Sequence, residues 1–585
     1  KTVMPELGIL GSGAIVSNDP YGNLSWLNEK GKSINWAVGA DDRWHFAENE
    51  TSVRRAQGDE NTSVEIRMRV PGGDIVQRTD VIPVGIDSAV LLEFENETPV
   101  PVAIAIKAIN FKTLEINGSK VSGEFGQVIS ASKPIALFCV SDDPKKLNET
   151  IRNGLAEPPA KRQKLESGDS AAIIFPLPHA TSLRLLISQD GVPELPDPKV
   201  SPSFSEISNG WRNHLDAGMQ IALPDKQILN AVDSSKKHLL IGSGQPIDSE
   251  FWGKEKPGEV ASLSALALLQ WGHLKEGKDL LLKCMELSNP GLFRKTVLHS
   301  TLITLWAWGN YIGHGPSDGI ANIILPWVKE NLQFLLASLP SKRRLKGKDL
   351  SLEIAALQAS VEILRDAGQQ NLASEVATQL DEILKLINPV SLANADDEYR
   401  LVGKKITGKF ENYFRDQETQ IHSHLTVTDL VNKADRTGAF SSEDRSQDPM
   451  SSALFLILAR KAFIIDEAAA NGNRFIQIAE GFHDNWIGAS LEVSNAPIRG
   501  GKLGFAIRWH GAAPAVLWEA TTDSRITISA PKLDISWSTH DLKGETLLAK
   551  QELPETAVTI FESKKISLHV DENNLSEGPE GKPFR

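Results

Sequence analysis

Hydrophobic and polar positions alternate along the first 200 residues of the chain. Between Ser63 and Val70 every second residue is apolar, so one face of this segment is expected to be buried and the other wet. Similar runs recur at a spacing of about eight to twelve residues and are separated by turns rich in Gly, Pro and Asn. This pattern predicts an N-terminal β-sandwich over residues 1–200.

The apolar period changes to that of a helix between residues 205 and 390. Seven helices are predicted there, and one more starts near Met450, so that 205–475 holds eight or nine helices. Short loops imply antiparallel neighbours, which indicates a stack of α/α hairpins. After Asn471 the strand period returns and predicts a small C-terminal β domain over 476–575, followed by a polar tail over 576–585.

Composition excludes several classes of partner and site. The 585 residues carry 62 Lys and Arg against 75 Asp and Glu, a net charge of −13, which argues against a nucleic-acid partner. Only two cysteines are present, which excludes a disulfide framework and a metal site built from several cysteines. No apolar stretch approaches the roughly eighteen residues of a membrane span. No signal peptide is visible either, so we expect a cytoplasmic protein. The sequence does not indicate an oligomeric state.

Four phrases are more specific than these periodicities: NDPYGNLSWL at 18–27, VPGGDIVQR at 70–78, EFENETPVPVAIAI at 93–106 and FAIRWHGAAPAVLWE at 505–519. They resemble segments of glycoside hydrolases with an (α/α) toroid, of the glucoamylase-like and glycogen-debranching-like kind. The first is similar to the start of that family's N-terminal sandwich, and the next two resemble sandwich strands of its actinobacterial members. The last, with its RWHG segment, resembles their C-terminal signature and is the most specific match.

The resemblance covers nearly the whole chain and implies a multidomain β and α architecture around a six-hairpin toroid. Eight or nine helices are fewer than a complete toroid needs, so an incomplete one is expected. The implied activity is hydrolysis of α-glucosidic bonds in a storage or compatible-solute carbohydrate, by two carboxylates in an inverting mechanism without metal or organic cofactor. The alternative is a catalytically inactive relative that binds carbohydrate or serves as a structural or interaction protein.

The first candidate site is PIDSEFWGKE, which follows the first of the seven helices. Asp248 is a candidate catalytic carboxylate, with Glu250 and Trp252 as substrate-binding residues, because carboxylates bind sugar hydroxyls while an aromatic ring packs on the sugar face. The alternative is that Asp248 or Ser249 caps the following turn and that Trp252 packs between helices.

A second candidate catalytic residue is Glu353, in KDLSLEIAAL. The resemblance implies a general acid just before a long helix at about this place. The preceding loop, SKRRLKGKD, has no aromatic residue and departs from the family pattern. The alternative is that Asp349 or Ser351 caps this helix and that Glu353 is favoured in its first turn by the helix dipole.

A third carboxylate cluster, FSSEDRSQDPM, precedes the helix near Met450. Glu443 is a candidate for the second catalytic group and Asp444 for substrate binding. The alternative is a solvated loop. Asp448 is explained by helix capping, because Pro449 follows at the first helical position.

Tryptophan is in excess, with 13 Trp against 4 Tyr. Trp306 and Trp308 are candidate sugar platforms on one helix, where Trp308 shares a face with Tyr311 and Trp306 points elsewhere. The alternative is that they are core residues.

The RWHG segment has a structural interpretation as well. Arg508 is predicted to pair with Glu519 on the neighbouring strand, and this pair would hold the C-terminal domain together. The segment lies outside the predicted toroid.

Overall fold

The computed structural model describes residues 4–552 except 28, 30, 56–61, 112, 166–169, 288–293, 317, 339–349, 388–425, 436, 443–444, 446 and 469–473. The chain forms two compact units. The first contains Lys1–Ala217, Asp233–Ser264 and Ala434–Ala453, and the second contains Gly218–Val232, Ala265–Lys433 and Leu454–Arg585.

The first unit holds two antiparallel sheets. Their strands are β1 Glu6–Ile9, β2 Gly13–Asn18, β3 Leu24–Trp26, β4 Ser33–Gly39, β5 Trp44–Phe46, β6 Val53–Arg55, β7 Val64–Val70, β8 Gly73–Val84, β9 Asp87–Asn96, β10 Val102–Ile109, β11 Glu115–Asn117, β12 Lys120–Gly123, β13 Gly126–Ala131, β14 Leu137–Ser141, β15 Gln163–Lys164, β16 Ser170–Leu177 and β17 Ser182–Val192. One sheet has the order β1-β2-β3-β4-β10-β16-β14, with β5 paired to β4, and the other has the order β15-β11-β12-β13-β17-β9-β8-β7-β6.

Side chains from both sheets share one hydrophobic core. Trp36 on β4 and Phe94 on β9 lie in it with their ring centroids 5.2 Å apart. Along β7 the residues Val64, Ile66, Met68 and Val70 are buried while those between them are not. The alternation read from the sequence therefore identified the inward face correctly, and the N-terminal region is a two-layered β structure.

The helices are α1 Pro144–Arg152, α2 Phe204–Leu215, α3 Lys226–Gly242, α4 Pro257–Gln270, α5 Leu274–Leu287, α6 Arg294–His314, α7 Ile320–Ser338, α8 Leu350–Asp366, α9 Gln370–Ile387, α10 Val427–Val431 and α11 Pro449–Phe463. The seven helices predicted between 205 and 390 are found as α3 to α9, and the structure adds α2, which was not predicted. The stretch 388–425 lies outside the described residues, as does the predicted tail 576–585.

Burial alternates along this series of helices. The described side chains of α4, α6, α8 and α11 are mostly buried all round, whereas α5, α7 and α9 each expose one side. Within the second unit α6 and α8 run in the same direction, since Gly309 faces Ala359 and Gly313, one turn later, faces Glu362. α6 and α8, which are next but one in sequence, are thus direct neighbours.

The second unit also holds two smaller sheets. Their strands are β18 Gln220–Ala222, β19 Ile464–Ala468, β20 Arg474–Ile478, β21 Leu491–Ile498, β22 Gly501–His510, β23 Ala513–Thr522, β24 Ile526–Ala530, β25 Asp534–Thr539 and β26 Lys543–Leu547. The orders are β18-β21-β22-β23-β26 and β19-β20-β24-β25, with β20 and β24 parallel. Strands are therefore found where the period of two returns. Together with the helices, they make the chain a multidomain β and α protein.

The predicted ion pair between Arg508 and Glu519 is wrong. The register of β22 and β23 places Arg508 opposite Ala515, and Glu519 opposite Gly504. Arg508 instead pairs with Glu492 on β21, with 3.0 Å between Nη2 and Oε2. A cross-strand pair does hold this sheet, but the partner lies on the other neighbouring strand.

The described helices include none that is long and apolar enough to cross a membrane.

Replacing Gly309 by alanine tests the close approach of α6 and α8. The added Cβ would lie 2.5 Å from Cβ of Ala359, so we expect a loss of about 1–3 kcal/mol, despite the better helix propensity of alanine. The control is Gly210→Ala on α2, where nothing lies within 4 Å of the new atom and a gain of up to about 1 kcal/mol is expected. Thermal unfolding followed by circular dichroism measures both. A Gly309→Ala protein as stable as the wild type would contradict this packing.

Candidate functional site

In the first unit, the turn between α3 and α4 carries three of the predicted site residues. Asp248 and Glu250 are exposed. Glu250 pairs with Lys254 at 3.4 Å, and 62% of its side chain is accessible. A short 3-10 turn, Glu250–Trp252, follows Ser249, whose side chain makes no capping hydrogen bond. Both carboxylates are therefore presented to solvent.

Trp252 behaves differently from its two neighbours in the turn. Its exposure is 1%, and its ring meets that of Phe251 edge to face with centroids 4.7 Å apart. The structure thus places the Trp252 ring in the interior of the unit, which is the packing alternative foreseen from the sequence.

Arg445 brings the third carboxylate segment to this turn. Its Nη1 donates to the carbonyl oxygens of Glu250, at 3.4 Å, and of Phe251, although 195 residues separate Arg445 from Glu250. Glu443 and Asp444 lie outside the described residues, but Arg445 follows them directly in the chain. Two segments chosen independently from the sequence are therefore neighbours in the first unit.

A buried carboxylate holds Arg445 from the other side. Nη2 of Arg445 lies 3.3 and 3.1 Å from the two carboxylate oxygens of Glu6 on β1. His238 on α3 places Nε2 at 3.2 Å from Glu6 Oε2, and the Glu6 amide donates to Oε1 of Gln447 at 2.9 Å. The side chains of His238 and Glu6 are 0% and 2% exposed, and that of Arg445 is 20% exposed. We call Glu6, His238 and Arg445 the buried ion cluster.

The charge state of this cluster follows from its contacts. Burial by itself raises the pKa of the Glu6 carboxyl, but hydrogen bonding to His238 and the charges of His238 and Arg445 outweigh burial. The pKa of Glu6 is therefore held below its ordinary value, and the carboxylate is ionised at neutral pH.

The capping role of Asp448 is confirmed. Its Oδ2 accepts hydrogen bonds from the amide of Ser451 at 2.9 Å and from the Ser451 hydroxyl at 2.6 Å. Pro449 is the first residue of α11. The candidate segment FSSEDRSQDPM therefore leads into a helix whose first residue follows the cap Asp448.

The remaining candidates lie in the second unit. Glu353 is in the first turn of α8 and is partly exposed. Trp308 is fully buried and meets Tyr311 edge to face at 5.7 Å, as expected from their shared helix face. Trp306 keeps part of its surface exposed. Of the three candidate tryptophans, Trp306 is thus the one that is only partly buried.

A second buried charge network in the second unit was not found from the sequence. Asp466 on β19 lies 3.2 Å from His314 at the end of α6 and 3.3 Å from Arg474 on β20, and its side chain is 1% exposed. It also accepts a hydrogen bond at 3.0 Å from the amide of Arg499. Burial raises the pKa of Asp466, but the Arg474 charge and the hydrogen bond to His314 outweigh it and lower the pKa.

Sequence reasoning missed Glu6, His238 and Arg445 for a simple reason. Glu6 is 232 residues from His238 and 439 from Arg445, and no local pattern links them. Among the residues that the structure describes, no group of three or more His, Cys, Asp or Glu side chains is arranged to hold a metal ion.

No protein-family model and no curated protein matches the chain. Among solved structures it is similar to the GH78-family rhamnosidase of Bacillus sp. GL1, with 13% identity over 78% of this chain and 54% of that one, and a TM-score of 0.38. A bacterial glucoamylase complexed with acarbose matches at 10% identity over 66% of this chain and 68% of that one, with a TM-score of 0.40. The α-L-rhamnosidase of Streptomyces avermitilis complexed with L-rhamnose matches at 8% identity over 87% and 54%, with a TM-score of 0.36. These neighbours are glycoside hydrolases, and this chain spans about half the length of the two rhamnosidases.

Replacing Glu6 by glutamine tests the buried ion cluster. At pH 7 we expect the free energy of unfolding to fall by about 3 kcal/mol, because Arg445 loses its charged partner. The pKa of Glu6 is lowered in the folded state. The wild-type advantage should therefore be constant above the unfolded-state pKa of about 4.3 and shrink as the pH falls through the folded-state value.

Urea unfolding between neutral and acidic pH measures this difference. The control is Glu194→Gln, since Glu194 is 78% exposed in its pair with Lys120 and should change stability by less than about 0.5 kcal/mol. A wild-type advantage that grows on acidification would contradict an ionised Glu6.

Proposed function

We propose that the protein is a glycoside hydrolase that cleaves α-glucosidic bonds in a storage or compatible-solute carbohydrate through two carboxylates in an inverting mechanism. The observation that carries this proposal is the contact of Arg445, the residue after Glu443 and Asp444 in the chain, with the carbonyl oxygens of Glu250 and Phe251 in the turn that bears Asp248. A two-carboxylate reaction needs acidic groups from separate segments to converge.

The helix arrangement supports an (α/α) toroid as the scaffold. In such a fold an inner ring of buried helices alternates along the chain with an outer ring of helices that expose one side. The alternating burial from α4 to α9, and the shared direction of α6 and α8, are the features expected of that order. The resemblance of the RWHG region to the family's C-terminal signature points the same way.

In the sequence each proposed catalytic carboxylate stands before a mostly buried helix or in its first turn. Asp248 precedes α4, Glu353 is in the first turn of α8, and Glu443 precedes α11. In an inverting enzyme one carboxyl group protonates the leaving oxygen, while the other activates water from a separation of about 6.5–9.5 Å. We propose that the acid and the base are among these three residues.

Substrate binding is assigned to exposed polar groups and to one aromatic ring. Glu250 offers a carboxylate to sugar hydroxyls, and Asp444 is proposed for the same role from the neighbouring segment. Trp306 is the proposed platform for a sugar ring, because Trp252 and Trp308 are buried.

The competing proposal is a catalytically inactive relative that binds carbohydrate or acts as a structural or interaction protein. All 13 tryptophans lie among the described residues, and eight of them are buried: Trp26, Trp36, Trp211, Trp252, Trp271, Trp308, Trp486 and Trp518. Most of the tryptophan excess therefore serves packing, which favours this alternative. Activity on a panel of α-glucans, α-linked disaccharides and aryl α-glycosides, including a glucoside and a rhamnoside, separates the two.

The variants Asp248→Asn, Glu353→Gln and Glu443→Gln test the catalytic assignment. We expect the two that remove the acid and the base to lower kcat by about 100- to 10,000-fold, because each removes a proton-transfer group. The control is Glu149→Gln, an exposed carboxylate on α1, which should leave kcat unchanged. Wild-type rates in all three variants would refute the assignment, and a wild type that cleaves nothing in the panel would refute the enzyme itself.

Replacing Trp306 by alanine tests the sugar platform. We expect KM to rise about tenfold with a smaller change in kcat, since a stacking ring contributes on the order of 1 kcal/mol of binding. Trp327→Ala is the control, because Trp327 is also partly exposed on a neighbouring helix, α7. Equal KM values for the two variants would exclude a special role for Trp306.

A further inference from the structure

We propose that Arg445 is a positioning residue that holds the turn at 248–252, with Glu6 and His238 as its fixed support. The consequence for catalysis rests on the proposed function, in which this turn carries Asp248 and Glu250. The holding of the turn itself does not depend on that function.

The contacts of Arg445 divide between its two terminal nitrogens. Nη1 is directed at the carbonyl oxygens of Glu250 and Phe251, and Nη2 is directed at the carboxylate of Glu6. The guanidinium also lies 5.7 Å from the ring centroid of Phe251. The planar guanidinium holds its donors in a fixed fork, which directs one terminal nitrogen at each partner, whereas the ammonium of lysine has no such fixed geometry.

The support behind Arg445 is rigid. Glu6 is in a strand, its amide donates to Gln447, and its carboxylate contacts His238 as well as Arg445. His238 is fully buried on α3, and its ring lies 5.1 Å from that of Phe251. A carboxylate held on several sides cannot follow Arg445 if the arginine moves, so it fixes the position of the guanidinium.

The turn that Arg445 holds combines a buried and an exposed part. Phe251 and Trp252 are buried, while Asp248 and Glu250 project into solvent. The exposed carboxylates have few contacts of their own, so their position depends on the backbone between them. Arg445 donates to that backbone at two successive carbonyls, and misplacement of a catalytic group by about 1 Å can cost about 100-fold in rate.

Arg445→Ala is the main test, measured by steady-state kinetics on the best substrate of the panel. We expect kcat to fall about 100-fold, because Asp248 is misplaced, and KM to rise by a smaller factor, because Glu250 lies on the same turn. Added ethylguanidinium should restore part of kcat, whereas Arg445→Lys should not. A loss confined to KM, or full activity in Arg445→Lys, would overturn the proposal.

Arg184→Ala is the matched control. Arg184 also joins a carboxylate to backbone carbonyls, since it pairs with Glu93 at 3.1 Å and donates to Pro198, Ser201 and Pro202. Its removal should lower stability to a similar degree and leave kcat unchanged. If both variants lose kcat equally, Arg445 acts only through general stability and the proposal fails.

Tryptic cleavage after Lys254 gives a readout that needs no enzyme activity. Lys254 is 80% exposed and lies just beyond the turn. Native-state cleavage there should be about tenfold faster in Arg445→Ala and Glu6→Gln than in wild type, because local opening of the turn becomes easier. If cleavage is faster in these two variants but the wild type hydrolyses no glycoside, the positioning role is supported and the proposed hydrolase function is refuted. Cleavage no faster than in Arg184→Ala would overturn the positioning, whatever the activity.

Discussion

A carboxylate removed from water must be paired, and in the first unit this constraint falls on Glu6. Leaving such a charge buried without a partner costs several kcal/mol, so the native fold needs His238 and Arg445 beside it. His238 lies on a helix 232 residues after Glu6, and Arg445 lies in a loop 439 residues after Glu6. The pairing therefore joins the first strand, α3 and the segment before α11. Through the hydrogen bonds of Arg445 it also connects these elements to the turn at 248–252.

The second unit satisfies the same constraint with other residues. Asp466 lies between Arg474 and His314, which links the end of α6 to the first two strands after α11. Helix packing in this unit depends on small residues, because α6 approaches α8 where Gly309 meets Ala359. Charged pairs thus fix which elements meet, and the absence of a side chain fixes how closely two helices approach.

Many of the strands, the helices α3 to α9 and the capping of α11 could be predicted because their signals are local. Alternation along β7, the helical period from α3 to α9, and Asp448 before Pro449 each depend on residues within a few positions of one another. The pairing of Arg508 was predicted wrongly for the opposite reason. It depends on which neighbouring strand brings a carboxylate within reach of the guanidinium, and that is a property of the assembled sheet.

The sequence by itself determined where the helices α3 to α9 and many of the strands form and which short segments carry acidic groups, because backbone periodicity and side-chain chemistry are encoded residue by residue. Only the tertiary structure decided that Trp252 and Trp308 are interior while Trp306 retains accessible surface. It also decided that Arg445, which is paired with Glu6, contacts the turn at 248–252. Burial and ion pairing depend on three-dimensional distance, and residues that are hundreds of positions apart acquire that distance only when the chain folds.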